Sequence, residues 1–319
     1  MPSLYLRSVW LVLAGVLFFA VAGVIVSWAP DKSLDTLRAR WAPPPSQFVH
    51  VQGMSVHLRD EGPADDPLPL VLLHGTSDSL HTWDGWAEVL SRQRRVIRFD
   101  LPGFGLTGPE PQNDYSMARY VQFVTALLDQ LGVQRCVLGG NSLGGQIAWA
   151  TAYAAPPRVQ QLVLVDAGGY AFTPAEVPLG FRLARIGAVR GLFEHMLPRG
   201  LVLSSVRNVY GDPSKVTAEL VDRYYDMALR AGNRKALGYR MDAGMAGNPQ
   251  HIQALSMPTL ILWGGRDRLI PPQWGRQFAR DVKNSRLAEF DDLGHVPQQE
   301  DPLRTVMALQ QFLGGRWSN

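Results

Sequence analysis

Apolar and polar stretches alternate along the chain in a pattern that predicts strands followed by helices. Largely apolar runs end in glycine or aspartate at "LPLVLLHG", "RVIRFD", "RCVLGG", "LVLVDAGG" and "PTLILWGG", as buried strands do. Between them, apolar residues recur at helical spacing, for example from Met117 to Leu131, after a capping Ser116. Two runs, "QFVHV" and "MSVHLRDEG", predict an antiparallel hairpin that turns at Gln52 and Gly53. The alternation predicts an α/β fold with a mostly parallel sheet and helices on both faces.

The N-terminal segment carries no charge from Ser8 to Pro30 and is flanked by Trp10 and Trp28. Such a run is long enough to cross a bilayer core of ~30 Å as a helix. A signal peptide cleaved after Ala29 is an alternative, and a buried helix is another. Proline directly after the cut and an apolar run longer than about 7–15 residues oppose cleavage. We therefore expect an uncleaved, single-pass transmembrane helix.

The residues around this span do not decide its orientation, because basic residues flank both ends. We expect attachment to the cell membrane with the catalytic domain on the periplasmic side.

After the span, Leu34, Leu37 and Trp41 have the spacing of one helical stripe, which lies near the membrane surface or on the protein body. The "APPP" that follows stops the helix and forms a stiff linker.

These boundaries divide the chain into three parts. Residues 1–45 form the transmembrane and juxtamembrane helices with the linker. Residues 46–169 and 256–319 form the α/β core. Residues 170–255 lack strand signals and predict a helical lid. Within this lid an apolar stripe packs on the core, lines an acyl channel or contacts lipid; it consists of Ile186, Val189, Phe193 and Met196.

Composition excludes several classes of function. The 319 residues carry a net charge of +3 without a block of like charges, so we expect no nucleic-acid partner. Cys136, the only cysteine, cannot form an intrachain disulfide and is expected to be a buried apolar residue. The sequence has no ligand cluster with metal spacing and no G-x-G-x-x-G after a strand. We therefore expect neither a metal nor another cofactor.

The strongest chemical signal is Ser142, which stands between a predicted strand and a predicted helix in "LGGNSLGGQ". A chain that turns so sharply brings its backbone segments together, and Gly140 and Gly144 avoid the resulting collisions. This G-x-S-x-G arrangement is typical of a nucleophile elbow, which presents the serine hydroxyl above the carboxyl edge of the sheet.

A serine nucleophile needs a base that a carboxylate orients. His295 follows the last predicted strand and is the expected base. His74 is expected to brace the loop that follows it. Asp267 follows a predicted strand by a short loop, whereas Asp166 lies at a strand end, and either gives the chain order Ser, Asp, His. We favour Asp267 as the acid because its loop is followed directly by "LIPP" and a predicted helix. Asp100 and Asp292 are expected to be structural, and the remaining histidines are expected to pack or lie at the surface: His50, His57, His81, His195 and His251.

The oxyanion formed during attack needs hydrogen-bond donors that are already in place. We expect one donor to be the backbone N–H of Leu143, directly after the nucleophile. The second is expected to be the backbone N–H of Thr76, because Gly75 lets the chain after "LLHG" bend close.

Over residues 47–316 the chain resembles the α/β-hydrolase fold family in the motifs "HGT", "DLPGFG", "GNSLGG", "GRD" and "GHVPQQEDP". With the N-terminal span, it is similar to single-pass bacterial lipases and phospholipases A, and more loosely to monoacylglycerol lipases. "GNSLGG" also resembles the elbow of carbon–carbon bond hydrolases of ring-cleavage products, but their glycine-rich loop is absent. Relatives with aspartate at the elbow are disfavoured because residue 142 is serine.

The resemblance implies a membrane-anchored serine hydrolase that cleaves carboxylic esters, with phospholipid, lysophospholipid or monoacylglycerol as substrate. Two alternatives remain: a carbon–carbon bond hydrolase of ring-cleavage products, and a ligand-binding protein or receptor with low turnover. The expected partners are the lipid or ester substrate and the bilayer. Small residues in the span permit close helix contact and predict a homodimer: Ala14, Gly15, Ala20, Ala22 and Gly23.

Overall fold

A single eight-stranded sheet forms the centre of the protein. The computed structural model describes residues 10–315 except 12, 16, 19–22, 172–190, 192–193 and 245–246. The strands are β1 Gln47–Val51, β2 Met54–Glu61, β3 Leu70–Leu73, β4 Val96–Phe99, β5 Cys136–Asn141, β6 Val159–Val165, β7 Thr259–Gly264 and β8 Ser285–Phe290. Their order across the sheet is β1-β2-β4-β3-β5-β6-β7-β8. β1 and β2 form the predicted hairpin, β2 is antiparallel to β4, and all other pairs are parallel.

Helices cover both faces of the sheet, as the alternating pattern predicted. In the core they are α2 Asp84–Leu90, α3 Met117–Gln130, α4 Leu143–Ala154, α9 Gln273–Asp281, α10 Pro297–Glu300 and α11 Pro302–Leu313. The buried side chains of α3, α4 and α9 pack in one apolar cluster, and those of α2 and α11 pack in another on the opposite face. Neighbouring residues of β3 alternate between the two clusters, because successive strand side chains point to opposite faces.

The segment between β6 and β7 is predominantly helical where it is described. It contains α5 Arg199–Val209, α6 Ala218–Leu229, α7 Asn233–Asp242 and α8 Pro249–Gln253, and we call residues 170–255 the insertion. Val206 and Tyr210 pack against Val296, so the insertion lies beside the loop that carries His295. Three residues of the predicted apolar stripe, Ile186, Val189 and Phe193, lie outside the described residues.

The N-terminal segment is helical wherever it is described up to residue 27, and α1 Leu34–Trp41 follows. Across the described ranges, no helix combines the length and the apolar character needed to span a bilayer. Residues 1–9, 12, 16 and 19–22 of this region fall outside those ranges. Leu37 and Trp41 are buried against Leu106 and Met227. The predicted stripe of α1 therefore packs on the protein body.

Asp100 organises the loops that follow the central strands. Its carboxylate lies 2.7 Å from His57 Nδ1 and accepts backbone hydrogen bonds from Leu80 and Leu106, each at 2.7 Å. Burial by itself raises the pKa of Asp100, but the charge and hydrogen bond of His57 outweigh it and hold the pKa well below its usual range. The expected structural role of Asp100 therefore has a specific basis: an ionised carboxylate with three donors.

Replacing this carboxylate tests its contribution to stability. We expect Asp100→Asn to lower the free energy of unfolding at pH 7 by about 3 kcal/mol, because buried donors lose their charged acceptor. The folded pKa lies below the unfolded value of about 4, so the stabilisation is present above that pH and is lost as the pH falls through the folded pKa. Urea denaturation at pH 7 and at lower pH measures both effects.

Asp292→Asn is the matched control. Asp292 is exposed and pairs with the exposed Arg304, so its loss should change the free energy of unfolding by less than about 1 kcal/mol. Equal effects of the two variants would contradict the role assigned to Asp100.

Candidate active site

Ser142 occupies the sharp turn between β5 and α4. Its backbone has φ 55° and ψ −115°, a conformation that side-chain-bearing residues rarely adopt. A Cβ on Gly140 would lie 2.2 Å from the Gly144 carbonyl oxygen, and one on Gly144 would lie 2.2 Å from the Leu73 oxygen. Both glycines are therefore required by backbone contacts, as the sequence predicted.

His295 and Asp267 meet on neighbouring loops after β8 and β7. His295 Nδ1 lies 2.7 Å from Asp267 Oδ2, and both side chains are almost fully buried. Asp267 Oδ1 accepts hydrogen bonds from the backbone N–H groups of Leu269 and Ile270, at 2.7 and 2.9 Å. These three contacts fix the carboxylate and leave His295 Nε2 as the ring nitrogen that is available to a hydroxyl.

Asn141 connects the serine turn to the histidine loop. Its Nδ2 donates to the His295 carbonyl oxygen at 2.9 Å and to the Val165 oxygen at 3.1 Å. Because Asn141 directly precedes Ser142, this hydrogen bond connects the turn that carries the predicted nucleophile to the loop that carries the predicted base. In the G-x-S-x-G pattern Asn141 is only the variable position. Its role could not be predicted from the sequence, because it depends on a contact with a residue 154 positions away.

A second buried residue, Glu300, holds the histidine loop against the insertion. Its carboxylate accepts hydrogen bonds from the backbone N–H groups of Gly294 and Gly211, at 2.8 and 2.9 Å. His295 N also donates to the Val209 oxygen at 2.8 Å. The end of α5 is therefore fastened to the residue beside the predicted base. No local sequence signal marks Glu300, because its partners come from a distant part of the chain.

The two expected oxyanion donors belong to segments that adjoin Ser142. Leu143 is the first residue of α4, so its N–H has no acceptor within the helix. Gly75 passes so close that an added Cβ would lie 3.2 Å from Ser142 Cβ, which brings Thr76 to the same edge. His74 braces this loop as expected: its ring nitrogens contact the Gly75 oxygen at 2.7 Å and the Leu101 N–H at 2.9 Å.

The other buried histidines and Asp166 do not form a histidine–carboxylate pair beside Ser142. His57 and His81 are buried, and burial, with a smaller contribution from the charge of Arg223, lowers the pKa of His81 to about 3. Asp166 lies beside Asp267 but is not the hydrogen-bond partner of His295.

Among the described residues, one group of three possible metal ligands lies together: Asp166, Asp267 and His295. Within this group, Asp267 and His295 are hydrogen-bonded to each other.

The carboxyl edge of the sheet thus combines a serine with a histidine that is hydrogen-bonded to a carboxylate. The backbone N–H groups of Leu143 and Thr76 remain the predicted oxyanion donors. The arrangement is suited to nucleophilic attack on a carbonyl carbon, with proton transfer through His295.

Comparison with known proteins agrees with the fold. Residues 69–302 match the family described as the alpha/beta hydrolase fold. The chain is 32% identical over 278 residues to the 2-hydroxy-6-oxo-2,4-heptadienoate hydrolase of Pseudomonas putida. The alignment covers 84% of this chain and 95% of that protein.

Two solved structures are also similar. A meta-cleavage product hydrolase from Pseudomonas fluorescens has 25% identity and a TM-score of 0.73, covering 84% of this chain and 97% of its own. A membrane phospholipase A has 26% identity and a TM-score of 0.73, and covers 99% of each chain.

The site geometry predicts that Ser142→Ala abolishes turnover without disturbing the fold. Removal of a triad nucleophile lowers kcat by about 10⁶-fold in a well-studied protease. Hydrolysis of p-nitrophenyl butyrate and covalent labelling by a fluorophosphonate should both disappear, while circular dichroism is unchanged. Retained labelling would show that a different residue is the nucleophile.

Proposed function

Because this chain belongs to the alpha/beta hydrolase fold family, we propose that it is a membrane-attached serine hydrolase that cleaves carboxylic esters of acyl lipids. Ser142 Oγ attacks the ester carbonyl while His295 Nε2 accepts its proton, and Asp267 stabilises the resulting imidazolium. The N–H groups of Leu143 and Thr76 stabilise the oxyanion. His295 returns the proton to the leaving alcohol. Water then attacks the acyl-enzyme by the same route and releases the carboxylic acid.

The observation that carries the lipid part of this proposal is the exposure of the N-terminal segment. Nine of the twelve exposed large apolar side chains among the described residues precede Pro30. Ile25 is 68% exposed and Val26 is 85% exposed. Contiguous exposed apolar surface of this kind is unfavourable in water and suits a lipid environment. We propose that residues 8–30 anchor the protein in the membrane.

The last residues of this anchor and the residues that follow it contact the insertion directly. Trp28 stacks on His195, with ring centroids 5.6 Å apart, and Lys32 Nζ lies 2.6 Å from Asp226 on α6. Four backbone hydrogen bonds add to these contacts: Ala29 N to His195 O, Leu197 N to Ser27 O, Lys32 N to Leu229 O and Ala231 N to Lys32 O. Such contacts would hold the insertion, which we assign as a lid, close to the bilayer and its lipids.

A second candidate function is carbon–carbon bond hydrolysis of ring-cleavage products. The curated relative from Pseudomonas putida at 32% identity favours this alternative over ester hydrolysis, as does a 2-hydroxymuconate semialdehyde hydrolase at 30%. Their matches cover 84% and 82% of this chain. The match to the membrane phospholipase A covers 99% of this chain, so it includes the N-terminal segment. For this reason we place the ester reaction first.

A substrate panel separates the two candidates. The purified full-length protein, with Ser142→Ala as control, is assayed on p-nitrophenyl esters of graded length, monoacylglycerol, phospholipid vesicles and a 2-hydroxy-6-oxo-dienoate. We expect Ser142-dependent turnover of the esters and lipids. Turnover of the dienoate alone would establish the second candidate. Absence of turnover on every substrate would favour the ligand-binding alternative.

The anchor generates a further prediction. We expect deletion of residues 1–26 to leave hydrolysis of p-nitrophenyl butyrate within about twofold, and to lower activity on lipid vesicles by about 100-fold, because tethering raises the local concentration of lipid. The deletion ends before Ser27, so the contacts to the insertion remain. Equal loss on both substrates would mean that the segment supports the fold. Equal retention would mean that the substrate is not in the membrane.

A matched pair of full-length variants tests the same point without deletion. Leu17→Asp with Ile25→Asp places charges in the proposed anchor, whereas Leu303→Asp with Met307→Asp places them at similarly exposed positions of the body. Only the first pair should release the protein from vesicles in a flotation assay.

A further inference from the structure

Asp166 is a buried carboxyl group next to the proposed catalytic acid. It follows β6, as Asp267 follows the adjacent parallel strand β7, and its side chain is fully buried. One oxygen atom of each carboxyl group and one ring nitrogen of His295 all lie within 4.8 Å of one another. Glu300 adds a third negative charge to the surroundings.

The hydrogen-bond partners of the two aspartates differ. Asp267 has three donors, from His295 Nδ1 and the backbone of Leu269 and Ile270. Asp166 Oδ1 has one, the N–H of Gly264 at 3.0 Å. The buried Oδ2 of Asp166 has no donor among the described residues, and no described Lys or Arg forms an ion pair with this carboxyl group.

Two adjacent buried carboxylates cannot both be ionised at low cost. Three donors stabilise the charge on Asp267, so the proton of the pair resides on Asp166. Burial raises the pKa of Asp166 well above its usual range, and the charge of Asp267 raises it further. A protonated carboxyl group then has an O–H to donate, and Asp267 is the neighbouring acceptor.

We propose that Asp166 is a positioning residue for the reaction: it retains a proton and donates a hydrogen bond to Asp267, so that the aspartate pair presents a single negative charge to His295. The inference rests on the triad proposed above. An O–H donor on Asp267 fixes the orientation of the carboxylate that holds His295. If Asp166 were ionised, a second charge would favour protonated His295, which cannot act as a base.

The first test compares the pH dependence of kcat/KM on p-nitrophenyl butyrate in wild type, Asp166→Asn and Asp166→Leu. Asparagine resembles a protonated aspartate and keeps an N–H donor. We expect Asp166→Asn to retain activity within about threefold and to keep the acidic limb of the profile unchanged. We expect Asp166→Leu to lower kcat about tenfold or more at constant KM, because Asp267 loses a donor. A shift of the acidic limb to lower pH in Asp166→Asn would show that Asp166 is ionised and would overturn the proposal.

The second test does not depend on catalysis, so it separates failure of this inference from failure of the proposed function. Ser142→Ala and Ser142→Ala with Asp166→Asn are unfolded with urea between about pH 5 and pH 9. A raised folded pKa gives stability that is complete below the unfolded pKa and is lost as the pH rises through the folded pKa. The folding constant of Ser142→Ala should therefore fall relative to the double variant, by up to about tenfold per pH unit. A constant ratio across this range would mean that Asp166 holds no proton, and the proposal would be wrong.

Discussion

The turn at Ser142 is the constraint on which the site depends. A residue with φ 55° directly between strand and helix is tolerated only because Gly140 and Gly144 allow backbone segments to touch. The same close approach brings the loop after β3 beside the serine and places the start of α4 under it. The nucleophile and both proposed oxyanion donors therefore have their positions fixed by backbone packing, which side-chain motion cannot easily disturb.

Buried carboxyl groups at the carboxyl edge of the sheet have different protonation behaviour because they have different partners. Asp100 has His57 and two backbone donors, so its charge is stabilised despite complete burial. Asp166 has one donor and an acidic neighbour, so burial and repulsion favour its neutral form. Glu300 has three backbone donors and joins the insertion to the histidine loop. The carboxyl groups therefore have different structural roles, which depend on the number and charge of their neighbours.

The insertion contacts both the loop that carries His295 and the segment that follows the N-terminal helix. On one side, the end of α5 is hydrogen-bonded to the backbone of His295. On the other, α6 is paired with Lys32 and packed against α1. Residues 27–41 and the catalytic loop therefore contact the same helical layer. In the proposed function this layer lies between the membrane and the active site.

The sequence by itself determined the order of strands and helices, the opening hairpin, the capped helix after Ser116 and the serine turn, because these depend on local spacing and on glycine at two positions. It also indicated His295 and favoured Asp267 over Asp166 from the positions of loops after strands. Tertiary structure decided what local pattern cannot contain: that Asp267 is the aspartate against His295, that Asn141 and Glu300 hold the histidine loop, and that α1 packs on the body. Each of these depends on residues far apart in the chain, whose approach is set by packing of the whole sheet and its insertion.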